Sequence, residues 1–168
     1  MHVSSDYVFD GTQTLHTESE PFSPLGVYGQ TKAAGDAQVG SLPAHYLLRT
    51  SWVIGDGHNF VRTMASLADR GVNPEVVDDQ FGRLTFAAEI SRAIVHLLQV
   101  EAPYGTYNLS NAGESMTWAG VARAVFEARG RDAALVKSVS TAQYSVGKSL
   151  APRPRHSLLS LGKIISSG

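Results

Sequence analysis

The sequence contains no cysteine, which excludes disulfides, thiolate nucleophiles and cysteine-ligated metals. No apolar run approaches the roughly 20 residues that a membrane-spanning helix needs. The opening stretch "MHVSSDYVFDG" lacks the basic segment and following apolar segment of a signal peptide. A cysteine-free chain is typical of the cytosol, so we expect a cytoplasmic protein without a membrane partner.

An excess of charge of either sign is also missing. The 14 Lys and Arg residues nearly balance the 15 Asp and Glu residues, and the basic residues are dispersed along the chain. This balance argues against binding to nucleic acid or to an anionic membrane surface. The hydrophobic fraction is 43% over 168 residues, which is enough for one globular unit with its own core.

Three common kinds of functional site are not indicated by the pattern. The six histidines include no pair at the i, i+4 spacing of a helical zinc site, so we expect no metal. No G-x-S-x-G turn of a serine hydrolase is present. Glu18 and Glu20 lie in a polar loop with no carboxylate placed opposite, which disfavours a glycosidase pair.

Apolar runs that read as strands alternate with segments of helical spacing. Strands are predicted in "HVSS", "HYLLRTSWVIG", "PEVVDDQFG" and "GTYNLSN", and helices from Val27 to about Gly40 and in "NFVRTMASLADRG", "FAAEISRAIVHLLQV" and "TWAGVARAVFEARG". The third helix is expected to turn Ile90, Ile94, Leu97 and Leu98 inward. This alternation predicts an α/β fold with a mainly parallel, partial doubly wound sheet, whose ligands bind at the carboxyl ends of the strands.

One pair of segments carries a recognisable chemistry. "SSDYVFDG" ends the first predicted strand, and Tyr28 and Lys32 lie four residues apart on one face of the following helix. A phenol with a pKa of about 10 is a better proton donor when an ammonium group stabilises its phenolate. This set suits carbonyl reduction: Tyr28 donates the proton, Lys32 lowers the pKa of its phenol and reaches a cofactor ribose, and Ser5 hydrogen-bonds the carbonyl oxygen or tunes the tyrosine.

A Tyr-x-x-x-Lys pair alone is weak evidence, because a surface tyrosine and a solvated lysine produce the same pattern. The strand-ending "SSDY" about twenty residues upstream favours the catalytic interpretation.

The order of motifs adds a resemblance. "SSDYVFDG", "YGQTKAAGD", "RTSWVIG", "NFVRTM", "VVDDQFGRLT" and "APRPRHSLLS" together resemble the dTDP-4-dehydrorhamnose reductases, which are extended short-chain dehydrogenases/reductases. The resemblance implies a Rossmann-like sheet with a C-terminal substrate-binding region. It also implies NAD(P)H-dependent reduction of dTDP-4-dehydro-L-rhamnose to dTDP-L-rhamnose, with a nucleotide sugar as the partner.

The resemblance also assigns roles to residues. It implies Tyr28, Lys32 and Ser5 as catalytic, Tyr28 and Lys32 as binding NADPH or NADH, and Ser5, Asp6, Tyr7 and Trp52 as binding the substrate. Weaker expectations are that Asn59, Gln80 and Arg83 position the nucleotide diphosphate. For the cluster Arg153, Arg155 and His156 we favour a structural role over a phosphate contact.

Three positions depart from the family pattern. Ser5 stands where threonine is usual, Leu84 replaces a proline, and Asp36 replaces a glutamate. Ser5 retains a hydroxyl, so its implied role survives the change.

A Gly-rich strand-turn-helix for the dinucleotide pyrophosphate is not found. The nearest candidate, "GDGHNF" at 55–60, lacks the third glycine and is predicted to be a turn leading into a helix. We therefore expect residues 1–168 to form a single partial domain that lacks the N-terminal Gly-rich βαβ unit and binds cofactor incompletely. An uncovered sheet edge would then favour self-association, such as a homodimer.

Two alternatives stay open at this stage. One is a nucleotide-sugar epimerase or dehydratase of the same superfamily, although dehydratases have an acidic residue where this chain has Tyr7. The other is a non-catalytic binding or regulatory subunit.

Overall fold

The computed structural model describes residues 1–167. Its strands are β1 (His2–Ser5), β2 (Tyr46–Thr50), β3 (Val53–Ile54), β4 (Glu75–Val77), β5 (Phe81–Gly82), β6 (Thr85–Phe86), β7 (Gly105–Leu109), β8 (Met116–Thr117) and β9 (Lys137–Val139). Its α-helices are α1 (Val27–Gly40), α2 (Phe60–Asp69), α3 (Ala87–Gln99), α4 (Trp118–Ala128), α5 (Thr141–Tyr144) and α6 (Gly162–Ile165).

The main sheet has three parallel strands in the order β1-β2-β7, with Ser5, Thr50 and Leu109 aligned at the carboxyl edge. All five residues of β2 are buried, as expected of a central parallel strand that is covered on both faces. Smaller parallel pairs join β3 to β6 and β4 to β9, and β5 pairs antiparallel with β8.

Helices cover both faces of the main sheet. Arg49 of β2 hydrogen-bonds Asp36 of α1, whereas its neighbour Leu48 packs in one cluster with Leu97 of α3. Because successive strand residues point to opposite faces, α1 and α3 lie on opposite sides. This arrangement confirms the predicted α/β architecture.

The predicted inward faces of the helices are largely confirmed. Met64 and Ala68 of α2 pack with Phe126 of α4 in a second core cluster. On α3, Leu97 is fully buried, but Leu98 is 56% exposed, so its inward assignment was wrong. The reason is geometric, since one residue advances about 100° around a helix of 3.6 residues per turn. Within residues 1–167, no helix is both long and apolar enough to cross a membrane.

A buried ion pair joins α1 to the sheet. Arg49 Nε donates to Asp36 Oδ2 at 3.0 Å, and both side chains are almost fully buried. The guanidinium also donates to the Glu18 carbonyl and lies over the rings of Phe9 and Phe22. Removing one partner would leave an uncompensated charge in the interior, which costs far more than losing an exposed pair.

The first prediction concerns this pair. Asp36→Ala should lower the free energy of unfolding by about 3–5 kcal/mol because the buried guanidinium loses its counter-charge. Urea denaturation measures the change. Asp56→Asn is the control, since its pair with Arg62 is solvent-exposed and should be worth about 1 kcal/mol or less. Equal losses in the two variants would contradict the interpretation.

Candidate active site

Strand β1 ends at Ser5, and its side chain shapes the turn that follows. Ser5 Oγ accepts a hydrogen bond from the Tyr7 backbone N–H at 3.2 Å, which caps the 3-10 turn Asp6–Val8. The same hydroxyl donates to Asp6 Oδ1 at 3.1 Å. Ser5, Asp6 and Tyr7 therefore form one compact turn at the carboxyl edge of the sheet, as the strand-end prediction required.

Helix α1 approaches this turn very closely. A Cβ atom at Gly29 would lie 2.2 Å from the Tyr7 carbonyl oxygen, so only glycine fits there. The preceding residue, Tyr28, is thereby brought beside Tyr7, with ring centroids 5.6 Å apart and ring planes at 82°. This edge-to-face contact is favourable for two aromatic rings, and it leaves Tyr28 56% exposed to solvent.

Lys32 is anchored at the outer edge of the sheet. Its Nζ donates to the Val3 carbonyl at 2.8 Å, so the hydrogen bond described for this ammonium goes to the β1 backbone. The structure thus brings Tyr28 against the turn that follows Ser5, whereas Lys32 contacts β1 two residues before Ser5. The direct effect of Lys32 on the Tyr28 phenol, which the sequence predicts, stays a prediction.

Asp6 is almost completely buried, and burial has an electrostatic consequence. Loss of hydration raises its pKa from 3.8 to about 6, although hydrogen bonds from Ser157 and Ser5 and the nearby His16 partly oppose the rise. The resemblance implies that Asp6 binds the substrate, but in the structure its carboxyl group faces the protein interior.

An open cleft of about 540 Å³ is linked to this turn by Arg153, which lines the cleft and hydrogen-bonds the Tyr7 hydroxyl. Its walls include Phe60, Trp118, Tyr144, Gln80 and Arg153. This size is within the range of small-molecule sites, and the aromatic rings provide flat apolar surfaces against which a planar group can stack. The sequence analysis did not identify Phe60, Trp118 or Tyr144 as functional, because each lies on a helix where an inward aromatic residue is ordinary.

Trp52 packs against Trp118, which lines the cleft. Its ring stacks on Trp118 with centroids 3.7 Å apart and planes within 15°. Its backbone has φ of +47°, a left-handed conformation that is uncommon for a bulky residue. Gly82 is required beside it, since a Cβ there would lie 2.5 Å from the indole. Strained residues are concentrated at functional sites, and Trp52 stays a candidate for substrate contact.

Arg153 connects the cleft to Tyr7, which packs against Tyr28. Its Nη1 donates to the Tyr7 hydroxyl at 2.7 Å, and Arg153 is among the residues that line the cleft. The neighbouring Pro152 is close to the start of α1, where a Cβ at Gly26 would lie 3.3 Å from its ring. The cleft and the Tyr28 end of α1 are therefore adjacent.

The three residues expected to position the nucleotide diphosphate, Asn59, Gln80 and Arg83, lie at different places in the structure. Asn59 is the N-cap of α2, where its Oδ1 accepts from the Arg62 N–H at 3.0 Å. Gln80 lines the cleft and donates to the Thr141 hydroxyl. Arg83 is not among the cleft-lining residues. Of this group, the structure brings Gln80 alone to the cleft wall.

Acidic and histidine side chains do not assemble into a metal site. Within residues 1–167, no group of three or more such side chains could hold a metal ion.

Comparison with known proteins finds relatives that are similar to this chain over nearly all of its length. The spore coat polysaccharide biosynthesis protein SpsK of Bacillus subtilis (strain 168) is 36% identical over all of this chain and 58% of its own length. A dTDP-4-dehydrorhamnose reductase of Aggregatibacter actinomycetemcomitans is 36% identical over 98% of this chain and 59% of its own length.

A solved structure extends the similarity to the fold. The dTDP-4-dehydrorhamnose reductase of Bacillus anthracis str. Ames, in complex with NADP, superposes with a TM-score of 0.88 at 33% identity. The match covers 99% of this chain and 58% of that one, so the chain spans somewhat more than half the length of its relatives. The family model described as "RmlD substrate binding domain" matches residues 1–168. The chain therefore belongs to the RmlD substrate binding domain family, the family of the dTDP-4-dehydrorhamnose reductases.

Proposed function

We propose that this chain provides the substrate-binding and proton-donating part of a dTDP-4-dehydrorhamnose reductase. One observation supports this most strongly: Tyr28 lies against the Ser5–Tyr7 turn at the carboxyl edge of the sheet, beside an aromatic cleft. In this proposal, dTDP-4-dehydro-L-rhamnose is reduced to dTDP-L-rhamnose. The nucleotide lies in the cleft, and the ketone of the sugar lies at Tyr28.

The roles of the side chains follow from their positions. Tyr28 is exposed and gives its phenolic proton to the C4 oxygen of the sugar as that oxygen gains negative charge. Ser5 holds the turn that presents Tyr7, and its hydroxyl donates to Asp6 within that turn. Trp52 and Tyr7 border the sugar on the cleft side, and Asp6 supports the turn from within.

A nicotinamide dinucleotide, NADPH or NADH, supplies the hydride when bound. The residues of this chain fit one end of such a cofactor: the Lys32 ammonium at the open edge of β1 is a donor suited to ribose hydroxyls. The "GDGHNF" turn does not fit the pyrophosphate end, since its Asn59 caps α2 with its own side chain. We propose that the remaining cofactor contacts lie outside residues 1–168, which form a partial domain.

The nature of residue 7 favours a reductase over a dehydratase. An acidic residue is expected at this position in a dehydratase, but here the Tyr7 ring packs on Tyr28 and its hydroxyl accepts from Arg153. No carboxylate therefore occupies the place from which a sugar C–H proton would be removed.

The second prediction tests the proton donor. The assay compares the chain alone with a fusion protein. In the fusion, the part of the Bacillus anthracis reductase that this chain does not match is joined in front of Met1. NADPH oxidation with dTDP-4-dehydro-L-rhamnose should occur in the fusion and be weak in the chain alone. Tyr28→Phe in the fusion should lower kcat about 10²–10⁴-fold, because the proton donor is lost.

The matched control for this assay is Tyr104→Phe. Tyr104 is also an exposed tyrosine, and it packs on Tyr46, away from the cleft-lining residues. Its variant should keep full activity. A fusion that binds dTDP but shows no turnover, with or without Tyr28, would support a non-catalytic binding subunit instead.

The third prediction concerns pH. The pKa of Asp6 is about 6 in the folded chain and 3.8 in the unfolded one. At low pH the carboxyl is protonated in both states, so ionisation of Asp6 does not destabilise the fold there. The cost of its ionisation grows as the pH rises through the window between these two values and reaches about 3 kcal/mol above pH 6. Asp6→Asn should therefore become more stable relative to the native chain by roughly that amount between pH 4 and pH 7.

Urea denaturation at several pH values measures this difference. Asp10→Asn is the control of opposite sign, because backbone and side-chain hydrogen bonds from Thr12 lower the Asp10 pKa. That variant should lose stability relative to the native chain as the pH rises. A stability difference for Asp6→Asn that is the same at pH 4 and pH 7 would refute the electrostatic interpretation.

Self-association in the cytoplasm belongs to the same proposal. Strand β1 is an edge of the main sheet, and its Val3 is 42% exposed. An open edge of this kind is a template for pairing with a second chain.

The fourth prediction tests this edge. Light scattering coupled to size-exclusion chromatography should show an apparent mass above the monomer that falls in Val3→Lys, because a charged edge resists pairing. Val53→Lys is the control, since Val53 is 48% exposed on β3, outside the main sheet. A native chain that stays monomeric at high concentration would contradict self-association.

A further inference from the structure

Arg153 occupies a position that the proposed chemistry does not yet use. Its Nη1 donates to the Tyr7 hydroxyl at 2.7 Å, a charge-assisted hydrogen bond. The Tyr7 ring in turn meets the Tyr28 ring edge-to-face at 5.6 Å. Arg153 is also one of the residues that line the cleft. One side chain thus touches both the cleft and, through a single ring, the tyrosine assigned to proton donation.

The segment that carries Arg153 is held firmly. It lies between Pro152 and Pro154, whose rings restrict the backbone. Pro154 is buried against Gly11, where a Cβ would lie 2.7 Å from the proline Cβ. The Arg155 carbonyl accepts from the Phe81 N–H at 2.7 Å. The guanidinium is therefore presented from a fixed strap, defined as residues 152–156.

The charge of Arg153 acts on Tyr7. Burial raises the pKa of Tyr7, and the Arg153 charge and hydrogen bond oppose that rise. The hydrogen bond described for Lys32 goes to the Val3 carbonyl. Arg153 is thus the cation with a described hydrogen bond to Tyr7, the residue that packs against Tyr28.

We propose that Arg153 is a positioning residue that couples occupancy of the cleft to the placement of Tyr28, acting through Tyr7. A guanidinium has five N–H donors, and one of them is used by Tyr7. The others are suited to an anionic group in the cleft, such as a nucleoside diphosphate. An anion held there draws the guanidinium to one orientation, which fixes the Tyr7 hydroxyl and the ring contact with Tyr28. The inference rests on the proposed function for the identity of the anion.

The test follows each tyrosine separately in the chain itself. Tyrosines labelled with ¹³C at Cζ give six NMR signals, since the chain has six tyrosines, and single Tyr→Phe variants assign them. The probe is dTDP, with inorganic pyrophosphate as the second ligand. In the native chain, dTDP should shift the signals of Tyr7 and Tyr28. In Arg153→Gln the Tyr28 shift should be lost, and dTDP affinity should fall about 10–100-fold.

Two further variants separate positioning from simple loss of structure. Arg155→Gln removes a neighbouring exposed arginine on the same strap and should behave as the native chain. Arg153→Lys keeps the charge without the planar fork, so it should restore dTDP binding in part but not the Tyr28 response. Unchanged Tyr7 and Tyr28 signals on adding dTDP to the native chain would overturn the coupling.

A Tyr28 response in Arg153→Gln equal to that in Arg155→Gln would overturn it as well. These measurements do not depend on turnover. Failure of the reductase proposal would appear as an active Tyr28→Phe fusion, and the two failures are therefore distinguishable.

Discussion

The candidate site depends on how closely helix α1 approaches the end of strand β1. The absence of a side chain at Gly29 lets the helix backbone rest against the Tyr7 carbonyl. That approach places Tyr28 against Tyr7 and allows Lys32 to reach the Val3 carbonyl. A larger residue at position 29 would push the helix outward and separate the phenol from the turn. The chemistry at this edge is therefore set by backbone packing before any charge is considered.

The buried pair of Arg49 and Asp36 secures the same helix one and a half to two turns further along. It ties α1 to the central strand, whereas Gly29 fixes the beginning of α1. Two points of attachment define both the position and the rotation of a helix. The orientation of Tyr28 and Lys32 is consequently a property of the whole α1–sheet unit. An ionic contact deep in the interior thus has a direct bearing on the exposed site.

Local patterns predicted much of this architecture. The apolar run of β2 and the helix that begins at Val27 follow from sequence patterns that act within a few residues. The position of Ser5 at the end of the first strand was also predicted, whereas the turn that its hydroxyl caps was not. The remaining features join residues far apart in sequence. In the sequence, Asp36 was only a departure from the family pattern, and nothing nearby indicated its ion pair with Arg49. The hydrogen bond between Arg153 and Tyr7 joins residues that are 146 positions apart. Which aromatic residues line the cleft is decided by how α2 and α4 pack, and no local signal carries that information.

The stacking of Trp52 on Trp118 has an optical consequence. These are the two tryptophans of the sequence, and their rings lie 3.7 Å apart. Indoles this close share their excited states, and one of the two, Trp118, lines the cleft. A molecule that binds against the Trp118 ring is therefore expected to alter the near-ultraviolet circular dichroism and the emission of the pair. The natural sequence thereby contains its own spectroscopic reporter, with no label needed.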